Sequence, residues 1–391
     1  MSESKKETVM KKKVVIAIDS FKGCMDSLTA AEAVKRGIER SGFDADVDIF
    51  ALADGGEGTS IALARALGAT EVPLTVCGPA RKEVKCSYWI SQNTRTAIME
   101  MSACAGITLV AGEEKNPERT TTYGVGEMIL DAVESGCERI IVGIGGSATN
   151  DGGIGMLAAL GFEFFDAEGA LIEPYGAIAA GQVASISGEK VSEVVRACKF
   201  SVACDVTNPL CGELGCSAVF AAQKGADAAS IARMDGYLQS YASVVESFSA
   251  NADRNAAGAG AAGGLGFAFL SFLDARLLSG AELVIRESGL ERAIGKADIV
   301  VTGEGRMDVQ SFMGKAPSAV AAVAKKHGKP VIAFCGAISS PEGVEGLDID
   351  GIFPIQTAAI SLEDAMRTEV ATANLEFTAR NVFNVLDTAG K

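Results

Sequence analysis

Short apolar runs that close on a polar, glycine-bearing turn recur along this chain, and most lead into a segment of helical spacing. Val14–Ile18 ends on Asp19 and enters Ser20-Phe21-Lys22-Gly23. A continuous β-branched run of this kind predicts a parallel strand buried on both faces. A helix is expected from about Ala30, with Thr29 and Glu32 as a capping box and Gly42 as its stop. Asp46–Leu52 predicts the next strand; it leads into Ala53-Asp54-Gly55-Gly56-Glu57-Gly58-Thr59 and then a helix to Leu67. Residues 14–80 therefore predict a β-α-β-α-β order and an open parallel sheet. Ligands of such sheets bind beyond the carboxyl ends of the strands, where both polar loops lie.

Gly78-Pro79 interrupts the alternation, and Glu83–Ile90 with Thr94–Met101 predicts a strand pair. A helix is expected from Thr120 to Glu134. The strand Ile140–Gly143 then runs into Ile144-Gly145-Gly146-Ser147-Ala148-Thr149-Asn150-Asp151-Gly152-Gly153, followed by helical spacing over Ile154–Leu160. Lys199–Asp205 predicts a strand with the loop Val206-Thr207-Asn208-Pro209. Ala218–Phe220 predicts a short strand before Gln223-Lys224-Gly225, and Ala229–Phe248 a long helix. Alternation returns at Asp298–Thr302, whose loop is Gly303–Asp308 followed by Gln310 and Gly314-Lys315. The helix Pro317–His327, the strands Val331–Phe334 and Gly351–Pro354, and a closing helix Ser361–Leu386 complete the pattern. The two ends share one style. The economical architecture is one α/β domain from 14–80 and 296–391, interrupted by an α/β domain at 81–295, with 1–13 as a polar, disordered lead-in.

Composition narrows the chemistry. A formal net charge of −15 over 391 residues argues against a nucleic-acid partner, which needs a basic face. The ten cysteines contain no C-x-x-C pair and read as free thiols, mostly buried. His327 is the only histidine, so histidine triads and multi-histidine metal sites are excluded. No apolar run reaches membrane-spanning length and no signal-peptide core opens the chain, so a cytoplasmic location without a membrane partner is expected.

Five loops carry glycine with an acid, an amide or a cation: Asp19–Gly23, Asp54–Thr59, Ser147–Gly153, Asp205–Asn208 and Gly303–Lys315. Carboxylates at strand ends suit Mg²⁺, which takes a few carboxylates, water and phosphate oxygens. Lys22, Lys224, Arg306 and Lys315 suit phosphate or carboxylate neutralisation. Phosphoryl transfer needs positioning, charge neutralisation and an acid to accept a proton, but no histidine. No Walker motif and no protein-kinase motif set occurs. Gly258, Gly260 and Gly263 match G-x-G-x-x-G, but a helix and a polar turn precede them where a dinucleotide site needs a strand.

Three long motifs carry a resemblance: Ala17-Ile18-Asp19-Ser20-Phe21-Lys22-Gly23, the Ala53–Thr59 loop, and Gly145–Gly153. With Asp205-Val206-Thr207-Asn208-Pro209-Leu210, Gly258–Gly266 and Thr302–Arg306 in the same order, the chain from Lys13 onward resembles the bacterial type-1 glycerate kinases. The resemblance implies ATP-dependent phosphorylation of D-glycerate with Mg²⁺. It also implies a flavodoxin-like domain built from both chain ends, with a second α/β domain inserted. Ala221-Ala222-Gln223-Lys224 stands where Gly-Pro-Gln-Lys is usual, and Asp308-Val309-Gln310-Ser311 where Asp-Ser-Gln-Thr is usual.

On this reading the active site lies in the cleft between the domains and the 2-hydroxyl is the favoured acceptor. Asp19 or Asp151 takes the proton, and Lys22 and Arg306 hold the acid's carboxylate or the transferring phosphoryl. Asp54, Asp205 and Glu304 are the metal candidates. The substrate and nucleotide contacts expected are Ser20, Gly55, Gly56, Glu57, Gly146, Ser147, Asn150, Asn208, Lys224, Gly260, Gly263, Asp308, Gln310 and Lys315. The rival readings are a nucleotide-binding oxidoreductase using the 258–263 glycines and a non-catalytic metabolite-binding regulator. A monomer and a homodimer are both compatible with the sequence.

Overall fold

The computed structural model describes residues 11–52, 59–308, 316–339, 346 and 348–389. Two compact units emerge: Met1–Asp54 with Val284–Lys391, and Gly55–Leu283. They are called here the split unit and the continuous unit.

The split unit holds a five-stranded, all-parallel sheet in the order Gly351–Pro354, Val331–Ile338, Ile299–Met307, Lys12–Ile18, Ala45–Ala51. Counted along the chain, this is the flavodoxin-like order, whose direction reverses between the first and third strands. Those strands are Lys12–Ile18 and Ile299–Met307. Val14 to Ile18 are all buried, as a central strand covered on both faces requires. Ala45–Ala51, at the sheet's edge, alternates exposure instead, with Asp46 and Asp48 outward. The helix Ser27–Glu39 buries Ala30, Ala31, Ala33, Val34, Gly37 and Ile38 on one face. It crosses the helix Thr368–Ala389 closely at Gly37, and Arg36 and Arg40 both pair with Glu376 there.

The continuous unit holds a six-stranded mixed sheet in the order Arg276–Leu278, Lys199–Ala203, Arg139–Gly143, Thr96–Glu100, Glu83–Ser91, Thr70–Cys77. The first four are mutually parallel, and Glu83–Ser91 pairs antiparallel with both Thr96–Glu100 and Thr70–Cys77. A separate antiparallel pair joins Glu163–Phe165 to Ser185–Ser187. Among the described residues no helix is long and apolar enough to cross a membrane, and all ten cysteines are free thiols.

Several local expectations shift. Thr70–Cys77 pairs along its length with Glu83–Ser91, so Gly78-Pro79 sits inside a hairpin and the units divide at Asp54 and Gly55 instead of near residue 80. The return to the split unit falls at Val284, not 296. The first helix starts at Ser27 because the Asp26 carboxylate accepts from Thr29 N at 2.7 Å, replacing the Thr29 cap. Lys12 and Lys13 already belong to the first strand, pairing with Ala45 and Asp46; residues 1–10 of the expected lead-in lie outside the described residues. Cys216–Phe220 is a helix where a strand was expected. The polar run Gly303–Met307 continues its strand because Val331–Ile338 extends beside it. The closing helix breaks into Leu362–Ala365, capped by Ser361, and Thr368–Ala389.

The Gly37 crossing allows a direct test. Alanine raises helix propensity by about 1 kcal/mol over glycine, but a Cβ at Gly37 would lie 2.6 Å from Glu376 O and 2.8 Å from Ala379 Cβ. Both neighbours are fixed by their own helix, so overpacking outweighs propensity. Gly37→Ala is expected to lower stability by about 1–2 kcal/mol in urea denaturation; a stabilised variant would refute the close crossing.

Candidate active site

Ten of the described candidate residues line one of two cavities, one in each unit, whereas Asn150, Asp151, Asn208, Gly260 and Gly263 line neither. In the split unit a cavity of about 680 Å³ opens at the carboxyl ends of Lys12–Ile18 and Ile299–Met307. This is the crevice where the strand order reverses, and such crevices bind ligands because loops on either side diverge there. Asp19, Ser20, Lys22, Glu304, Arg306 and Asp308 all line it. The adjacency is built by the backbone: Asp19 N donates to Gly303 O at 2.9 Å, which ties the first loop to the third strand. Asp19 is 3% and Glu304 7% exposed, so two carboxylates are sunk into the wall. Asp19 Oδ1 also accepts from Ser20 N at 2.7 Å. Arg306 is exposed and its Nε donates to Ser339 Oγ at 2.7 Å, which orients the guanidinium. On the neighbouring strand, in register with Glu304, Cys335 has its thiol pushed up to about 12 by burial and then by that carboxylate's charge, so it stays neutral and unreactive.

The remaining loop candidates of this unit, Asp54, Gln310 and Lys315, lie outside the described residues, as do Gly55, Gly56 and Glu57 of the continuous unit. Among the described residues no group of three or more His, Cys, Asp or Glu side chains gathers as a metal site.

The continuous unit forms a smaller cavity of about 310 Å³. Gly145, Gly146 and Ser147 supply one wall, Asp205 another, and Gln223, Lys224 and Ala262 a third. Strand Arg139–Gly143 delivers the first loop, and Gly146 takes φ +71°, a left-handed turn natural only to glycine. The loop then dives inward. Thr149, Asn150 and Asp151 are all 0% exposed.

Their burial has a cause far along the chain. Gly263, at φ +70°, lets its loop lie directly on residues 149–152: Gly152 N donates to Gly263 O at 2.9 Å, and a Cβ on Gly263 would collide with Thr149 O. Gly260 N likewise donates to Asn208 O at 2.9 Å, and a side chain there would strike Pro209 O. Gly260 and Gly263 therefore work as close-packing positions between loops of this unit. Ala262, between them, is forced to φ +52°, a strained value for an L-residue. The run Ala261–Leu273 begins with this left-handed turn, so regular helix starts only after Gly264.

Asp151 is occupied structurally. Its Oδ2 accepts from Thr122 N at 2.8 Å and Thr122 Oγ1 at 2.9 Å, and its Oδ1 accepts from Gly153 N at 3.1 Å. Burial raises its pKa against the pull of those bonds. Asn150 donates from Nδ2 to Ser217 Oγ at 2.9 Å, while its Oδ1 and the Thr149 hydroxyl have no hydrogen-bond partner among the described residues. Asn208 donates to Leu214 O at 2.8 Å. Asp205 is exposed and accepts from Gly280 N at 3.0 Å.

Lys224 joins the pieces. It ends the short turn Ala222–Lys224 and is 2% exposed. Its ammonium donates to Ser147 Oγ at 2.7 Å and Thr149 O at 2.6 Å. Loss of solvation lowers its pKa to about 8, opposed by Cys216 and Asp151. Gln223, Ala262 and Ser339 were not singled out from sequence as site residues. Gln223 is marked only by its place beside Lys224; Ala262 and Ser339 carry no local signal.

The lowered pKa makes stability depend on pH. The unfolded chain keeps the Lys224 proton up to 10.5, whereas the folded chain releases it near 8. Stability from this group is therefore fully present above pH 10.5 and is lost as pH falls through 8, a swing of about 3 kcal/mol. Lys224→Met removes it. The stability of the native chain minus that of the variant should rise between pH 8 and 10.5 in denaturant titrations; parallel curves would contradict a buried, titrating ammonium.

A family model described as the glycerate kinase family matches residues 14–387. Glycerate kinase of Bacillus subtilis (strain 168) is 42% identical over 371 residues, covering 95% of this chain and 96% of the relative. Glycerate 2-kinase of Escherichia coli (strain K12) is 42% identical over 371 residues, covering 95% and 97%. A crystal structure provisionally described as glycerate kinase 2 from Salmonella typhimurium LT2 superposes with a TM-score of 0.85 at 41% identity, covering 97% of this chain and all of that one.

Proposed function

The chain belongs to the glycerate kinase family, and from that premise we propose that it transfers the γ-phosphoryl of ATP to the 2-hydroxyl of D-glycerate with Mg²⁺. Kinase activity on glycerate follows from the near-complete family match. The observation supporting the phosphoryl-transfer chemistry is the cavity at the strand-order switch, where two sunken carboxylates meet an arginine held by Ser339. The choice of the 2-hydroxyl is supported by the relative named glycerate 2-kinase.

Phosphoryl transfer asks the protein mainly to position and neutralise. Lys22 and Arg306 are proposed to take the charge on the phosphoryl oxygens, Arg306 through its planar donor face. Glu304 and Asp19 fit Mg²⁺, which is commonly held by one or two carboxylates together with phosphate oxygens; the ion would draw charge off the β- and γ-oxygens. Ser20 and Asp308 line the same cavity and complete its polar wall. The proton leaving the substrate hydroxyl needs a carboxylate. With the oxygens of Asp151 already held by Thr122 and Gly153, Asp19 and Asp205, one from each cavity lining, are the carboxylates proposed for that part.

The oxidoreductase alternative loses its motif, since Gly260 and Gly263 are filled by backbone of the same unit. A non-catalytic role fits a family named for kinases poorly.

Purified chain with ATP, Mg²⁺ and D-glycerate is expected to release ADP, and phosphorus NMR to show 2-phosphoglycerate. No ADP above background would end the proposal, and a 3-phosphate product would end its regiochemistry. Asp19→Asn should lower kcat about 10²-fold, and Arg306→Ala should lower kcat/KM about 10²-fold.

A further inference from the structure

The cavity of the continuous unit contains an imbalance of charge. Lys224 is buried, and among the described residues no carboxylate forms an ion pair with it. An ammonium has three donors, and Ser147 Oγ and Thr149 O take two of them. The charged or titratable groups acting on it are Asp151, whose oxygens are held by Thr122 and Gly153, and Cys216, whose thiol burial pushes up to about 11. A buried cation without a direct counter-charge is costly, and an anion at the cavity wall would offset that cost.

Asp205 on the same cavity narrows the kind of anion. A polyphosphate presents only acceptors and negative charge, so beside carboxylates it needs a metal ion; the split unit offers the sunken pair Asp19 and Glu304 for one, whereas Asp205 is the single carboxylate lining this cavity. A hydroxy acid presents both complements: a carboxylate for the ammonium and a hydroxyl donor for a carboxylate oxygen. Size agrees. The cavity, about 310 Å³, sits at the floor of the range of about 300–1,000 Å³ seen for drug-sized ligands. The split unit's cavity is about 680 Å³. It also lies at a strand-order switch and sets apolar Phe21, Ile338, Ile355 and Leu362 among its polar residues, as a nucleoside requires.

We propose that the smaller cavity is the hydroxy-acid subsite, with the carboxylate of D-glycerate on Lys224 and Ser147 and a hydroxyl on Asp205, and that the nucleotide takes the cavity of the split unit. This rests on the glycerate kinase reading above. It makes Asp205 the acceptor of the hydroxyl proton and leaves Asp19 to the metal and nucleotide.

The test uses the full-length chain and calorimetric titration of each ligand alone: D-glycerate, and a non-hydrolysable ATP analogue with Mg²⁺. Lys224→Met should weaken D-glycerate about 30-fold, the value of a charge-assisted hydrogen-bond pair, and leave the analogue within about 2-fold. Ile355→Trp, which fills the split unit's cavity, should do the reverse. Asp205→Ala should weaken D-glycerate but not propionate, which has the carboxylate without the hydroxyls. At a pH just above 8, D-glycerate binding should take up protons in wild type, read from titrations in buffers of different ionisation enthalpy, and none in Lys224→Met. Should Lys224→Met fail to fold by circular dichroism, Gln223→Trp, at an exposed residue of the same wall, should give the same selective loss. A reversed pattern, equal weakening of both ligands, or no D-glycerate binding to wild type would overturn the assignment. If wild type still converts D-glycerate and ATP, only the assignment falls; if it makes no ADP, the kinase reading falls with it.

Discussion

The continuous unit depends on one backbone contact: the loop around Gly263 lying directly on residues 149–152. Two main chains can approach this closely only where no side chain intervenes, and here a Cβ on Gly263 or Gly264 would strike the opposing loop. The contact buries Thr149, Asn150 and Asp151, so each must find hydrogen bonds inside the unit. Asp151 does so by bracing Thr122, at the head of one helix, and Gly153, at the head of another. Thr149 does so through its carbonyl, which receives the Lys224 ammonium. The left-handed Ala262 is the strain this arrangement carries beside the cavity.

In the split unit the governing constraint is strand order. The reversal between Lys12–Ile18 and Ile299–Met307 turns the connections to opposite sides and opens a crevice at their carboxyl ends. Residues nearly three hundred positions apart, Asp19 and Gly303, are then joined by a hydrogen bond. Asp19 and Glu304 come to line one cavity through sheet geometry, not through sequence proximity. The two units thus carry different chemistry. One offers sunken acids with exposed cations beside them, the other a buried ammonium with a hydroxyl beside it.

Much of this was legible beforehand. The strands around Val14–Ile18 and Arg139–Gly143 declared themselves by unbroken apolar runs, since a buried parallel strand tolerates no polar interruption. The polar loops after them announced chemistry because strand ends in open sheets face ligands. Less legible were features set by a distant neighbour. Gly303–Met307 reads locally as a loop and is a strand because Val331–Ile338 runs beside it. Residues 70–77 fit either sheet by pattern; their hydrogen bonds to Glu83–Ser91 decided the matter.

By itself, then, the chain's sequence determined which loops are chemical and which residue types they carry, because both follow from local periodicity and turn chemistry. Only the tertiary structure decided which of those groups face a cavity. Ser147 and Asp151 stand four positions apart in one motif, yet one lines the cavity and the other is an internal brace. That difference is imposed by Lys224, 75 residues beyond Thr149, and by the Gly263 loop. Burial is a property of what lies on top of a residue, and no local pattern encodes that.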